Sequence, residues 1–299
     1  NCKLNDSGGI SDFTRYYVYS DESYDYDVTM ESIDKFNDTY GACVYSHNSI
    51  DGYRSSTRYM DLFDINNSSA KISSLLIDSG TTIYRSMPMI KLNYDTILIP
   101  GFDTSGLVFG TFVKLENGKL IDKGTRVFND NIINGYDTIW YDKAVAFPLS
   151  NDRFACITTM QQEYTDRTNS TMRLLLNIYS YSYNSSGSIV LNIVATHILP
   201  FIYITNVIDM GDGYFVGISS SAAVGFYIDP SNQITTSNIA SGSNGYRGVR
   251  IGTSDSVYCT WYEKYSIIYY NKKSKRIGRY REKIFTRFCK YLSHSNFTT

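Results

Sequence analysis

The feature that most constrains this chain is a unit of short strand-like runs and turns that returns five times. Its clearest copy spans residues 209–232. Gly211-Asp212-Gly213 is a tight-turn signal, and Tyr214-Phe215-Val216-Gly217-Ile218 is β-branched and aromatic, too short and glycine-rich for a helix. A second apolar run, Ala223 to Ile228, is closed by Asp229-Pro230-Ser231-Asn232, where proline pre-sets a turn backbone and aspartate can bond it. Each unit reads as an inner strand, a short turn carrying Asp, a second strand, a variable connection, a third strand, a polar turn and a fourth strand. Inner strands are expected at 28–33, 87–92, 144–149, 204–208 and 248–251. The turn aspartates Asp38, Asp95, Asp152, Asp212 and Asp255 lie 57, 57, 60 and 43 residues apart. Third strands are expected at 59–65, 107–115, 173–181, 223–228 and 265–270, and fourth strands at 71–77, 120–127, 189–198 and 234–239. Residues 276–280 read as a poor fourth strand, which leaves the fifth unit incomplete.

Composition supports strands over helices. The chain carries 28 Tyr and 15 Phe but only 5 Pro, with polar turn residues between apolar runs. The runs do not alternate strictly, which indicates sheets covered on both faces. A four-stranded meander repeated in this way resembles a β-propeller, and the resemblance covers residues 28–280. It implies an all-β fold, a β-propeller of about five four-stranded blades, although no WD or kelch signature is present. A β-sandwich or a pair of them is the competing fold and predicts cleaner alternation. The expected division is an N-terminal segment over 1–20 with a ring-closing strand at 13–19, a propeller over 21–280, and a basic tail over 281–299. The tail is read as a short amphipathic helix, because Ile284, Phe285, Phe288, Cys289 and Leu292 recur at helical spacing with Lys283, Arg287 and Lys290 elsewhere on the turn.

A net charge of -1 argues against bulk nucleic-acid binding. No apolar run approaches the roughly 18 residues of a membrane helix, and no charged-then-apolar signal segment opens the chain, so a soluble protein without membrane insertion is expected. Asn1 in first position fits a processed product or a piece of a longer chain. Cys43, Cys156 and Cys259 fall at nearly the same repeat position, too far apart for disulfide geometry, and read as buried thiols. With five cysteines, no CxxC and three histidines, no metal site and no cofactor are expected. The acidic stretch Asp21, Glu22, Asp25 and Asp27 reads as a solvated loop, with a calcium loop as the alternative. Reduced thiols suggest assembly in a reducing cytoplasm, whereas N-x-[ST] triplets at Asn37, Asn66, Asn67, Asn169, Asn184 and Asn296 would suit an extracellular protein.

No residue set declares a reaction. Asp78-Ser79-Gly80-Thr81-Thr82-Ile83 resembles the Asp-box turn of sialidases, with Leu76 and Ile83 departing from that pattern. In that family the box is a structural turn. Propeller glycosidases use carboxylates projecting from inner strands, and here the inner strands supply Glu31 and little else. No nucleophile elbow occurs, and Gly242, Gly245 and Gly248 precede no helix that could hold a phosphate. The long insertions over 47–58 and 159–172 and the linkers over 78–86, 129–142 and 241–247 bring Tyr53, Tyr84, Tyr136, Trp140, Tyr141, Tyr164 and Tyr246 to one expected face, suited to sugar or protein recognition or simply to blade-edge packing. The tail residues Ile284, Phe285, Arg287, Phe288 and Leu292 are expected to dock on a partner. The resulting expectation is a non-enzymatic recognition propeller, similar in style to propeller-bearing tail, nozzle or fibre components of bacteriophage virions. Its partners would be other structural subunits, with a cell-surface glycan or receptor as a further ligand. The alternative is a secreted or cell-surface carbohydrate-active propeller, a sialidase-like glycoside hydrolase or a lectin.

Overall fold

The computed structural model describes residues 2–4, 10–13, 26–49, 57–66, 71–79, 83–103, 108–128, 138–150, 152–163, 170–199, 204–219, 221–241, 247–261 and 264–284. The described residues hold strands and turns and no helix. The fold is all-β and of the β-propeller kind, a series of antiparallel meanders. After a hairpin of β1 (Cys2–Leu4) and β2 (Ile10–Phe13), the first blade runs in the order β3 (Tyr26–Lys35), β4 (Tyr40–Ser49), β5 (Thr57–Asp64) and β6 (Lys71–Ser79). In the second, β7 (Ile83–Ser86) and β8 (Ile90–Lys91) both pair with β9 (Thr96–Asp103), followed by β10 (Val108–Glu116) and β11 (Lys119–Val127). The third is β12 (Thr138–Leu149), β13 (Arg153–Glu163), β14 (Ser170–Tyr183) and β15 (Ile189–Leu199). The fourth is β16 (Asn206–Gly211), β17 (Tyr214–Ile218), β18 (Ala222–Ile228) and β19 (Ile234–Ser241). The fifth is β20 (Arg247–Arg250), β21 (Ser256–Trp261), β22 (Lys264–Asn271) and β23 (Arg276–Ile284).

Three readings need correction. The inner strand expected at 87–92 is split, because Pro88 has no N–H to give to a ladder, so β7 and β8 share the edge of β9 on either side of it. The fifth blade is complete. Arg276–Ile284 forms a full strand against β22, with Lys264 opposite Ile284 and Asn271 opposite Arg276. Arg281 to Ile284 are therefore strand residues and not the start of a helix, since the open edge of β22 satisfies their backbone groups. Residues 285–299 lie outside the described residues. So do residues 14–25, and with them all of the proposed ring-closing strand except Phe13, which ends β2.

All five turn aspartates sit between first and second strands, and one backbone bond repeats there. An N–H at or near the end of each third strand donates to a carbonyl of that turn: Ile65 to Thr39, Leu115 to Asp95, Tyr181 to Asp152, Ile228 to Gly213 and Tyr270 to Asp255, at 2.7–3.1 Å. Asp152 and Asp212 take left-handed backbone angles of 51° and 58°, a conformation that aspartate tolerates better than most side chains.

The chain divides into two compact units, Asn1–Ser105 with Phe109–Val127 and Ser185–Ile189, and Gly106–Val108 with Phe128–Asn184 and Val190–Thr299. In the first, Ala42, Val44, Met60 and Leu62 of the first blade pack on Met89, Ile97, Ile99 and Val113 of the second. In the second unit, Phe147, Ile157, Leu174 and Leu176 meet Phe215, Val224 and Phe226. Val216 and Ile218 of the fourth blade continue into Val257, Ile268 and Tyr270 of the fifth. Residues of this type bury about 1.5–3 kcal/mol of hydrophobic stabilisation each, and a blade face holds several. That is why the strands are apolar on both sides.

A polar stripe crosses these faces at the third strands. Ser74 Oγ donates to Asp61 Oδ1 at 2.5 Å, Thr111 and Thr125 share a hydroxyl bond of 2.8 Å, and Thr196 donates to Asn177 at 2.8 Å. In the fourth blade Gly225 donates its backbone N–H to Ser237 Oγ. A side chain there would collide with the Tyr270 ring, 2.4 Å from where a Cβ would stand. Cys43, Cys156 and Cys259 sit on second strands directly opposite Asp61, Asn177 and Ser266 and are unbridged and buried.

Candidate functional site

The aromatic residues expected on loops are partly strand residues. Tyr84 lies in β7, and Trp140 and Tyr141 lie in β12 opposite Gln161 and Met160, so the linker expected over 129–142 ends at Thr138. Tyr53, Tyr136, Tyr164 and Tyr246 lie outside the described residues, as do Phe285, Arg287, Phe288 and Leu292 of the tail; Ile284 ends β23.

The second unit carries a cleft of about 450 Å³ at the turn end of its third and fourth blades, bounded by Pro148, Arg153, Asp209, Asp212, Phe215 and Asp229 among others. Its polar groups are mostly committed to local structure. Asp209 accepts the Gly211 N–H, and Asp229 accepts Ser231 Oγ and the Gln233 N–H. The bonds from Ser231 and Gln233 hold the Asp229 carboxyl below its usual range. Arg153 donates to the Ser150 carbonyl and to Asn232 Oδ1. Apart from the Arg153–Asn232 bond, which ties the third-blade turn to the fourth-blade one, these are bonds within single turns, so the cleft is largely a by-product of turn chemistry.

The first unit holds a different arrangement. Glu31 lies on β3 at a bulge, where the register with β4 shifts between Met30 and Ser32. A bulge re-aims the side chain it carries. Arg58 is the second residue of β5, opposite Ser46 on one side and Asp78 on the other. Arg58 Nε and Nη2 both donate to Glu31 Oε2, at 2.9 and 2.7 Å. The arginine side chain is 0% exposed and the glutamate 5%. The remaining guanidinium nitrogen, Nη1, is buried and has no hydrogen-bond partner among the described residues. Gly101 on β9 lets the guanidinium pack against the backbone: a Cβ there would stand 3.3 Å from Nη1 and 3.2 Å from the Phe109 ring.

This pair is costly to bury. A charged pair removed from water keeps its place only with good geometry and full hydrogen bonding, and an orphaned donor adds a further penalty of about 1–3 kcal/mol. Unpaired buried groups in native structures trace to strain, a catalytic role or a bound water or ion; Asp61 Oδ2, Thr158 Oγ1, Ser266 Oγ and Tyr270 Oη share this status, and Arg58 Nη1 is the cationic donor among them. Geometrically, the site offers a carboxylate with one oxygen occupied, beside a cationic N–H donor with nothing to donate to. It can abstract a proton at Glu31 and polarise an oxygen at Arg58. Sequence pattern singles out Glu31 on an inner strand but puts Arg58 in the loop insertion expected over 47–58. The only signal was a lone arginine at the head of an aromatic and apolar run, Tyr59 to Ile65. Nothing local links residues 27 positions apart.

No protein-family model and no curated relative matches the sequence. Among solved structures the chain is similar to a periplasmic gluconolactonase from Pseudomonas aeruginosa, at 10% identity and TM-score 0.45 over 94% of this chain and 90% of that one. It is also similar to a putative 6-phosphogluconolactonase from Bacteroides fragilis, at 8% identity and TM-score 0.43, covering 85% of this chain and 84% of that one. A third is a putative 6-phosphogluconolactonase from Bacteroides uniformis, at 10% identity and TM-score 0.39 with the same coverage. All three are named as enzymes. That finding corrects the expectation of a non-enzymatic virion module, which is withdrawn. At these scores the similarity says nothing of what this chain acts on.

Proposed function

We propose that the chain is an enzyme that hydrolyses a carbonyl ester, open-chain or cyclic, at Glu31 and Arg58. The observation that carries this reading is the buried guanidinium whose Nη1 has no partner among the described residues, beside a carboxylate with one oxygen engaged. In the reaction Glu31 Oε1 takes a proton from a water molecule, and the hydroxide so formed bonds to the carbonyl carbon. The charge that develops on the carbonyl oxygen is held by Arg58 Nη1, a donor already fixed in place and shielded from water. Collapse breaks the bond to the alcohol oxygen, which receives the proton back from Glu31. The products are a carboxylic acid and an alcohol, in one molecule when the substrate is cyclic.

The test is turnover of a panel of simple esters and lactones by the intact chain, with Glu31→Gln as the control. The variant keeps an oxygen for Arg58 and loses the base. It should lose roughly 10²- to 10⁴-fold in kcat, the usual contribution of a general base, with a smaller change in KM. Absence of turnover across the panel by folded protein, or equal turnover by the variant, would overturn the reading.

A further inference from the structure

The last strand of the third blade is β15, and among the described residues no strand pairs with its outer edge. Between its buried end residues Ile189 and Leu199, positions 190–198 hold no Asp, Glu, Lys or Arg. Most other outer strands do hold them. β6 has Lys71 and Asp78, β11 has Lys119, Asp122, Lys123 and Arg126, and β23 has Arg276, Arg279, Arg281, Glu282 and Lys283. β19 is also uncharged, but it is richer in Ser, Thr and Asn, and its Asn238 bonds both the N–H and the carbonyl of Ile277 on β23. Charge and short length keep sheet edges from pairing with other chains, and β15 has neither. Side chains alternate along a strand, and exposure along β15 alternates with them. Val190, Asn192, Val194, Thr196 and Ile198 are all exposed. On the other face Ala195 and Leu199 pack on the core of the third and fourth blades, and His197 Nε2 bonds the Asn232 carbonyl at 2.8 Å. The exposed row runs apolar, polar, apolar, polar, apolar, the same pattern from either end.

We infer that β15 is a homodimer seam, in which the strand pairs antiparallel with β15 of a second copy of this chain across a twofold axis at Val194. In that register Val190 of each copy lies opposite Ile198 of the other, Asn192 lies opposite Thr196, and Val194 lies opposite itself. β-Branched apolar residues meet one another, polar meets polar, and no like charges face each other. A second copy is the fitting occupant because a self-complementary row is what a twofold interface requires. Each edge is used once, so the assembly closes at two. Positions 190–198 at about 3.3 Å each extend for about 30 Å, and a sheet layer with its side chains is about 10 Å thick. The seam therefore covers on the order of 300 Å² per copy, less than the roughly 800 Å² per partner of a standard interface. The dimer is accordingly reversible and forms at high concentration. It does not depend on the reaction proposed at Glu31 and Arg58.

Two measurements on the full chain test it. Sedimentation velocity from about 1 µM to about 1 mM, the range of weak association, should show monomer giving way to dimer as concentration rises. Val194→Lys sets like charges face to face at the axis and should weaken association roughly tenfold or more. Cysteine crosslinking reads the register, and it keeps the test decisive if Val194→Lys does not fold. Residues directly opposite in an antiparallel pair have Cα atoms about 4.5–5.5 Å apart, within disulfide reach. Under mild oxidation Val194→Cys should therefore link to itself above the background of the unaltered chain. Val190→Cys and Ile198→Cys should link when mixed, and neither should do so alone. A chain monomeric throughout, assemblies that grow beyond two, dimerisation unchanged by Val194→Lys, or crosslinking of Val190→Cys alone as fast as in the mixture would overturn the inference.

Discussion

The two units are built from the same meander, yet they bury different chemistry. Among the described residues, the buried charged residues, Arg58 and Asp61, belong to the first unit, where the Glu31 side chain is also only 5% exposed. In the second unit the buried polar side chains are neutral: Thr158, Asn177, Ser219 and Ser266. There the blade interface is dominated by Phe147, Phe215 and Phe226, with ring centroids 4.9–5.9 Å apart. Aromatic packing of this kind contributes stability without electrostatic cost. Buried charge does the reverse, because desolvation can exceed the attraction it makes possible. On the proposed reading, the contrast sets the region around Arg58 apart from the second unit.

The largest effect expected from this contrast is at Arg58. Arg58→Met should destabilise the chain by about 3–5 kcal/mol, because Glu31 is left buried without a partner. Replacing both residues, as Glu31→Met with Arg58→Met, should recover most of that loss or more, since an apolar pair has no desolvation penalty. Urea unfolding of the single and double variants measures this directly. If the double variant is as unstable as the single one, the pair is a structural necessity and the distinction between the units disappears.

A second comparison uses equivalent positions of the polar stripe. Ser74→Ala removes the donor to Asp61 Oδ1, a charge-assisted bond, and should cost about 1.5–3 kcal/mol. Thr196→Val removes the donor to Asn177, a neutral bond, and should cost about 0.5–1.5 kcal/mol. Lys71 lies 3.6 Å from the other oxygen of Asp61, so the Ser74→Ala cost should rise when salt screens that exposed lysine. Equal costs with no salt dependence would mean that the stripe is only a hydrogen-bonding ladder in both units.

The repeat was legible in the sequence because it is written in local chemistry. Turn aspartates at fixed offsets from β-branched runs place Asp38, Asp95, Asp152, Asp212 and Asp255 correctly, and the thiols of Cys43, Cys156 and Cys259 follow from the same register. Reading failed where local pattern and tertiary demand disagreed. The spacing of Ile284, Phe285 and Phe288 suits a helix, but the open edge of β22 claims the backbone through Ile284. Trp140 and Tyr141 look like loop anchors, yet β13 extends far enough to draw them into β12. The candidate site was half legible. Glu31 stands out as a carboxylate on an inner strand, whereas the importance of Arg58 depends on a bulge, a facing glycine and a missing partner, and none of these can be read from residue type alone.

The smallest effect concerns the three thiols and extends the comparison to pH. Burial pushes Cys156 and Cys259 from an ordinary 9.0 up to about 12, and burial together with the negative charge of Asp61 does the same to Cys43. A raised thiol pKa means that the folded chain holds its proton where the unfolded chain releases it. Below pH 9 neither state is ionised and the shift has no effect. Above it, stability falls as pH rises, until the folded pKa is reached. At pH 10 the loss is about 1.4 kcal/mol per thiol, a value insensitive to whether the folded pKa is 11 or 12. Tyr270, pushed by burial to about 12, adds a smaller loss of the same sign. The thiol part is isolated by comparing the change in urea midpoint between pH 8 and pH 10 for the unaltered chain with that for Cys43→Ala and Cys156→Ala. Each variant should lose about 1.4 kcal/mol of that alkaline sensitivity. The units then separate under a second substitution: Asp61→Asn should make Cys43 react with iodoacetamide at lower pH while leaving Cys156 and Cys259 unchanged. A pH dependence indifferent to removal of the thiols would show that they titrate normally. Equal responses of all three to Asp61→Asn would show that the charge buried in the first unit has no local reach.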